Sequence, residues 1–338
     1  MRTLIRAFPS NARRHAQGVS LIELMVAMLI GLLVVVGAVG MFMTNRKTNT
    51  ATESVGRVQE NARMAFELMA RDIREADGSP CGQIGPATPS QAPMLPLANV
   101  VAGGAWWRTW GDGVAGFDNG GLAGSLAGTD AIQVHSAAGR AVTVQSFAAP
   151  TFTLTKAATD FAAGDVVVAC DNAQAAMFRI AAPAGSTITV SADAALNCSQ
   201  ALGIGPTCGA FSYAYAAAGR PATVAKVNAV QWYVADNGRG ANSLYRRTVD
   251  QPAAEIIEGV SAPAAGVGGL QLTYLLDQAT AYVAAGAVGN WKRVKAVRVV
   301  LEFEGQQGND QDRIKAGVDG EGLRRTITHI VSLRNRTP

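Results

Sequence analysis

Residues Val19 to Met43 form a 25-residue run that carries a single charge, Glu23. Nothing else in the chain limits its architecture as strongly. As a helix the run would extend roughly 37 Å, longer than the ~30 Å hydrocarbon core of a bilayer. It is too long for the apolar centre of a secretory signal, which has about 7–15 residues. Arg2, Arg6, Arg13 and Arg14 precede it, and residues 1–18 hold no acid. Basic residues ahead of an apolar span keep the N-terminus in the cytoplasm and send the C-terminal body to the far side. The chain has 29 Lys and Arg against 25 Asp and Glu, so without the four leading arginines it is balanced at 25 each. The formal charge of +4 therefore belongs to the leader and is no sign of nucleic acid binding. A composition of 49% hydrophobic and 16% charged residues excludes a disordered chain, and the lack of a second long apolar run excludes a multi-span membrane protein.

Glu23 is the anomaly in the run. A carboxylate at the centre of a bilayer costs about 2.5–3.5 kcal/mol, less near one end, and it calls for a partner. The segment Gln17-Gly18-Val19-Ser20-Leu21-Ile22-Glu23-Leu24-Met25-Val26 resembles the class III signal of type IV prepilins and type II secretion pseudopilins. That resemblance implies cleavage between Gly18 and Val19 by a membrane aspartyl peptidase, the prepilin peptidase, and methylation of the new N-terminal Val19. Val19 stands where the family usually has phenylalanine. The resemblance also gives Glu23 a partner: the α-amino group of Val19 on a neighbouring subunit, inside a bundle of helices in a filament.

From Thr44 to about Ala76 there is no proline, and Val55, Val58, Ala62, Ala65, Met69 and Ile73 recur at steps of three and four. This predicts one long helix, membranous in its first half and amphipathic in its second, ended by Gly78 and Pro80. Glu53–Arg57 and Glu67–Arg71 are spaced as i,i+4 ion pairs. The expected organisation is a leader over 1–18, a membrane or filament-core half-helix over 19–43, an amphipathic half-helix over 44–77 and a periplasmic β-rich body over 78–338. The fold class is α+β and pilin-like, with the helix packed on an antiparallel body.

In the body, short β-branched runs are separated by Gly, Pro, Asn and Asp. Strands are expected at Ala131–His135, Val142–Phe147, Asp165–Ala169, Ala176–Ile180, Thr187–Val190, Lys226–Ala235, Ser243–Val249, Leu270–Leu276, Lys292–Phe303 and Thr326–Leu333. Asp236-Asn237-Gly238 marks a hairpin turn. Residues 82–128 read as a long loop region bearing Trp106, Trp107 and Trp110, which fold back against the sheet in preference to forming a sugar- or partner-binding face. The cysteines are Cys81, Cys170, Cys198 and Cys208, with no CxxC, so zinc is disfavoured. In an oxidising compartment they read as two disulfides with three possible connectivities, of which Cys198–Cys208 with Cys81–Cys170 is favoured.

No nucleophile, metalloprotease or phosphate-loop motif occurs, and no enzyme, metal or cofactor is expected. His135 and His329 lie in strands as packing or surface residues. Asp310, Asp312, Asp319 and Glu321 lack calcium-loop spacing and read as turn chemistry.

Several segments resemble the PilW branch of minor pilins: Gln59 to Arg63, Leu68 to Ala76, Asp165 to Asp171, Ala176 to Ile180, Ser243 to Arg246, Ile257 to Val260, Trp291 to Val299 and Leu333 to Arg336. Residues 82–130 and 181–225 do not take part. That resemblance implies a role in priming type IV pilus assembly near the tip, with other minor pilins, the major pilin and a PilY-type adhesin as partners. It implies adhesion and twitching motility downstream, and residence in the inner membrane and then the pilus of a Gram-negative bacterium. The alternatives are a J-type minor pseudopilin of type II secretion, and a signal-anchored periplasmic binding protein.

Overall fold

The computed structural model describes residues 20–80, 82–85, 95–217, 219–263, 268–304 and 324–336. It opens with one helix, α1 (Leu21–Glu75), of 55 residues and about 82 Å. The chain divides into two units, one ending at Glu53 and one running from Ser54 to Pro338.

In the second unit the last turns of α1 bury the face that the periodicity foretold. Ala62, Ala65, Met69 and Ile73 are buried, and Phe66, Ala70 and Ala76 join them. The side chains of Val55 and Val58 lie outside the described set. Burying each of Phe66, Met69 and Ile73 contributes about 1.5–3 kcal/mol. Asp72 is the polar exception on this face. Its carboxylate accepts from Trp232 Nε1 at 2.8 Å and from Arg246 Nε and Nη2 at 2.8 and 3.0 Å. The Arg246 fork satisfies the buried charge and fixes the rotation of the helix against the strands.

One expectation about the helix fails. Glu67 pairs with Arg63 at 2.9 Å and Arg71 with Glu75 at 3.5 Å, so the Glu67–Arg71 pair is not made. Glu67 and Arg71 each have an opposite charge four residues away in both directions, and the competing pairs form. The helix ends at Glu75, one residue short of the expected end near Ala76. Asp77, not a glycine, takes the left-handed conformation (φ 61°), and its N–H donates to the carbonyl of His135 at 2.7 Å.

Among the described residues fifteen strands follow: β1 (Ile84–Gly85), β2 (Leu95–Asn99), β3 (Val114–Phe117), β4 (Ala131–Ala148), β5 (Thr151–Leu154), β6 (Val166–Cys170), β7 (Ala175–Arg179), β8 (Thr187–Thr189), β9 (Ala222–Asp236), β10 (Asn242–Thr248), β11 (Ala254–Val260), β12 (Leu270–Leu276), β13 (Tyr282–Val283), β14 (Val294–Glu304) and β15 (Arg324–Ser332). The main path runs β1-β2-β7-β6-β9-β10-β11-β14-β12-β13, with β15 on β14 and β4 on β9. Most pairings are antiparallel, as expected, but β1–β2 and β2–β7 are parallel. The stretch 82–128, expected as loop, supplies β1, β2 and β3. Ala131–His135 and Val142–Phe147, expected as two strands, are one strand, β4. A register shift between Ala138 and Val142 absorbs the extra residues without breaking the pairing to β9.

β9 organises the interior. Ala222 and Val224 enter one core, with Phe152, Phe178 and Ile188. Ala225, Val227 and Ala229 enter a second, with Trp107, Trp110 and Met177. Val230, Trp232 and Val234 enter the third, where α1 packs. All five residues of β6 are buried, because its two faces serve the first two cores. The architecture is the α+β, pilin-like one: a long N-terminal helix whose second half lies on a β body.

Candidate functional site

The N-terminal turn of α1 is built by local chemistry. Ser20 precedes the first helical residue, and its hydroxyl accepts from the N–H of Glu23 at 3.2 Å, while its carbonyl accepts from Leu24 N–H at 3.1 Å. This is a serine N-cap, with Glu23 at the third helical position. The Ser-x-x-Glu spacing is a helix-start signal that the sequence displays, but the sequence reading gives Glu23 only an assembly role. The carboxylate also sits in the first turn, where the positive end of the helix dipole favours an anion. Gly18 and Val19, the expected cleavage and methylation positions, lie outside the described residues.

From Leu21 to Met43 every large apolar side chain is exposed. Within Leu21–Arg46 the most apolar 18-residue stretch has a mean hydropathy of 2.7, and none of it is buried. Among the described residues this is the one helix long and apolar enough to cross a membrane. Leaving such a surface in water opposes the hydrophobic effect at about 25 cal/mol per Å², so the segment requires lipid or other helices around it.

Cys198 and Cys208 are joined by a disulfide with Cα atoms 6.3 Å apart. Cys170 is also disulfide-bonded, and Cys81, its partner in the sequence reading, lies outside the described residues. Within the loop that the Cys198–Cys208 bond closes, Gly203 N–H donates to the carbonyl of Phe211, just beyond Cys208, at 2.9 Å. A Cβ at Gly203 would stand 2.6 Å from that oxygen, so the glycine permits the approach.

The remaining candidates fall into packing roles. Trp107 and Trp110 are buried, and Trp106 is half-buried with Arg247 5.7 Å from its ring. His135 is buried, and its Nε2 lies 3.2 Å from the carbonyl of Trp107, which makes Nε2 the donor. Burial pushes the His135 pKa down to about 4, so the ring is neutral at ordinary pH. His329 is exposed on β15, with its ring 4.4 Å from that of Phe66. Asp310, Asp312, Asp319 and Glu321 lie outside the described residues. Among the described residues no group of three or more His, Cys, Asp or Glu is placed to hold a metal ion.

Residues 13–39 match the prokaryotic N-terminal methylation motif. The match covers Gly18, Val19 and Glu23 together with most of the exposed apolar stretch. No curated protein and no solved structure matches the chain. The motif and the uncovered apolar helix support a membrane-anchored protein of the pilin or pseudopilin type, processed by prepilin peptidase.

Proposed function

We propose that the chain is a minor pilin of the PilW type, which takes part in starting type IV pilus assembly and acts without catalysis of its own. The observation that carries the assembly reading is the methylation motif, set on a helix whose apolar side chains are exposed among the described residues. Cleavage after Gly18 would free the α-amino group of Val19. That cation and Glu23 of an adjacent subunit would neutralise each other as the helices bundle. Either charge alone in that apolar setting costs several kcal/mol, so pairing favours ordered addition of subunits over free diffusion in the membrane.

The choice of the PilW type is supported by where its segments meet. Asp72, from the Leu68–Ala76 segment, binds Arg246, from the Ser243–Arg246 segment. Asp77, just after the first of these, binds Lys292 and Arg336, from the Trp291–Val299 and Leu333–Arg336 segments. These residues are far apart in sequence and set one joint between helix and body. In this reading the protein resides in the inner membrane with its body in the periplasm, then enters the pilus with other minor pilins, the major pilin and a PilY-type tip adhesin. The test is a clean deletion in the source bacterium. Surface pili and twitching should fall while the major pilin is still made, and complementation should restore both. Normal piliation with a loss of type II secretion would replace this reading by the J-type pseudopilin.

A further inference from the structure

Residues Leu333–Arg336 meet the end of α1. Arg336 is buried, with its side chain 2% exposed, and its Nε lies 3.1 Å from Asp77 Oδ2. Its Nη1 donates to the carbonyls of Trp291 and Val294, and its Nη2 donates to that of Asp112. Lys292 reaches the same carboxylate from the other side. Its Nζ lies 3.0 and 3.2 Å from the two Asp77 oxygens and 2.9 Å from Ile84 O. The Asp77 side chain is fully buried between them. Next to Arg336, Asn335 Nδ2 donates to Ala76 O at 3.1 Å and to Glu75 O at 3.3 Å, adding to the Gly78 N–H that Glu75 O already accepts at the end of the helix. Two glycines make the approach possible. A Cβ on Gly78 would stand 2.8 Å from Asn335 Nδ2, and one on Gly113 would stand 2.6 Å from Asp77 Cβ. Leu333, completely buried, anchors the segment to β14 through Lys295 O at 2.8 Å.

We propose that residues Leu333–Arg336 are a releasable latch that locks the last turns of α1 onto the body. Opening the latch frees those turns while the strands remote from them stay folded. The separation of the cores carries the second half of this statement. Among the described residues the helix contributes side chains to one core alone, and the two cores built on β6 and β7 contain no helix residue. Loss of the latch therefore removes support from one core and leaves the other two with their contacts, the condition for a local rather than a global opening. This device rests on the geometry of the joint and not on the assembly role proposed above.

Hydrogen exchange read by mass spectrometry on the full chain in detergent tests it, with Arg336→Ala, Arg336→Lys and Asn335→Ala beside the parent. Arg336→Ala should raise exchange in residues 62–76 at least tenfold and leave β6 and β7 at parental rates. Arg336→Lys should restore part of the protection, because an ammonium still meets Asp77 but loses the fork to the carbonyls. Asn335→Ala, which leaves the buried charges intact, should raise exchange in the last helical turn alone. A rise of equal size in β6 and β7 would overturn the proposal. So would a helix whose exchange is unchanged in either alanine variant. If Arg336→Ala yields no folded protein, the joint is part of a single cooperative unit and the latch is likewise refuted.

Discussion

At the scale of single residues, two titratable side chains separate what folds the chain from what assembles it. Glu23 is exposed in the isolated chain and held at a capped helix start, so nothing in the body depends on it. Glu23→Ala should enter the membrane at least as well as the parent and be cleaved after Gly18, yet be recruited poorly into filaments. Quantitative blots of sheared pili against membranes would show this, and full recruitment would remove Glu23 from the assembly mechanism. His135 belongs to the body instead. In the unfolded chain it takes up a proton near pH 6.5, whereas in the folded chain it resists until about pH 4. Its contribution is therefore complete above pH 6.5 and drains away as the pH falls through that window, by about 3 kcal/mol. Denaturant unfolding between pH 7 and 4 should show that loss, and His135→Gln should flatten it. The sequence placed His135 in a strand correctly. It left packing and surface positions open, because the carbonyl that satisfies the buried ring comes from Trp107, in a stretch that reads as loop.

Among the elements, legibility followed the length of the pattern. The helix, the β9–β10 hairpin, β12 and β14 carry long apolar periodicities, and sequence and structure agree on them to within a few residues. β3 was hidden by Gly116, a poor strand former. A Cβ there would stand closer than normal contact distance to both Tyr274 and Trp291, so the packing demands what propensity disfavours. β11 was hidden by Glu255 and Glu258, which pair with Arg239 at the surface. The parallel pairings of β1 and β2 depend on contacts that no local pattern encodes. Between β8 and β9 the chain has little regular structure, and there the Cys198–Cys208 bond supplies order. Cys198→Ser with Cys208→Ser should lower stability by about 2–3 kcal/mol through the freed unfolded chain. A thermal melt should register that loss, with the protein still folded, because the cores keep their strands.

For the molecule as a whole, the first prediction is chemical. Co-expressed with a prepilin peptidase, the chain should lose residues 1–18 and begin with N-methyl-Val19, as intact-mass measurement would show. Gly18→Val should stay uncut. An unprocessed Met1 would defeat the pilin reading at its root. The second consequence concerns force. If the chain is the fibre subunit proposed above, a pull on its helix would be resisted by its body. The strain would pass from Asp72 into Trp232 and Arg246, neighbours on β9 and β10. β9 is hydrogen-bonded to β4 along one edge and to β6 and β10 along the other. A tug on the helix is thus delivered to the strand that the rest of the body grips from both sides, as a rope is made fast to a keel and not to a plank.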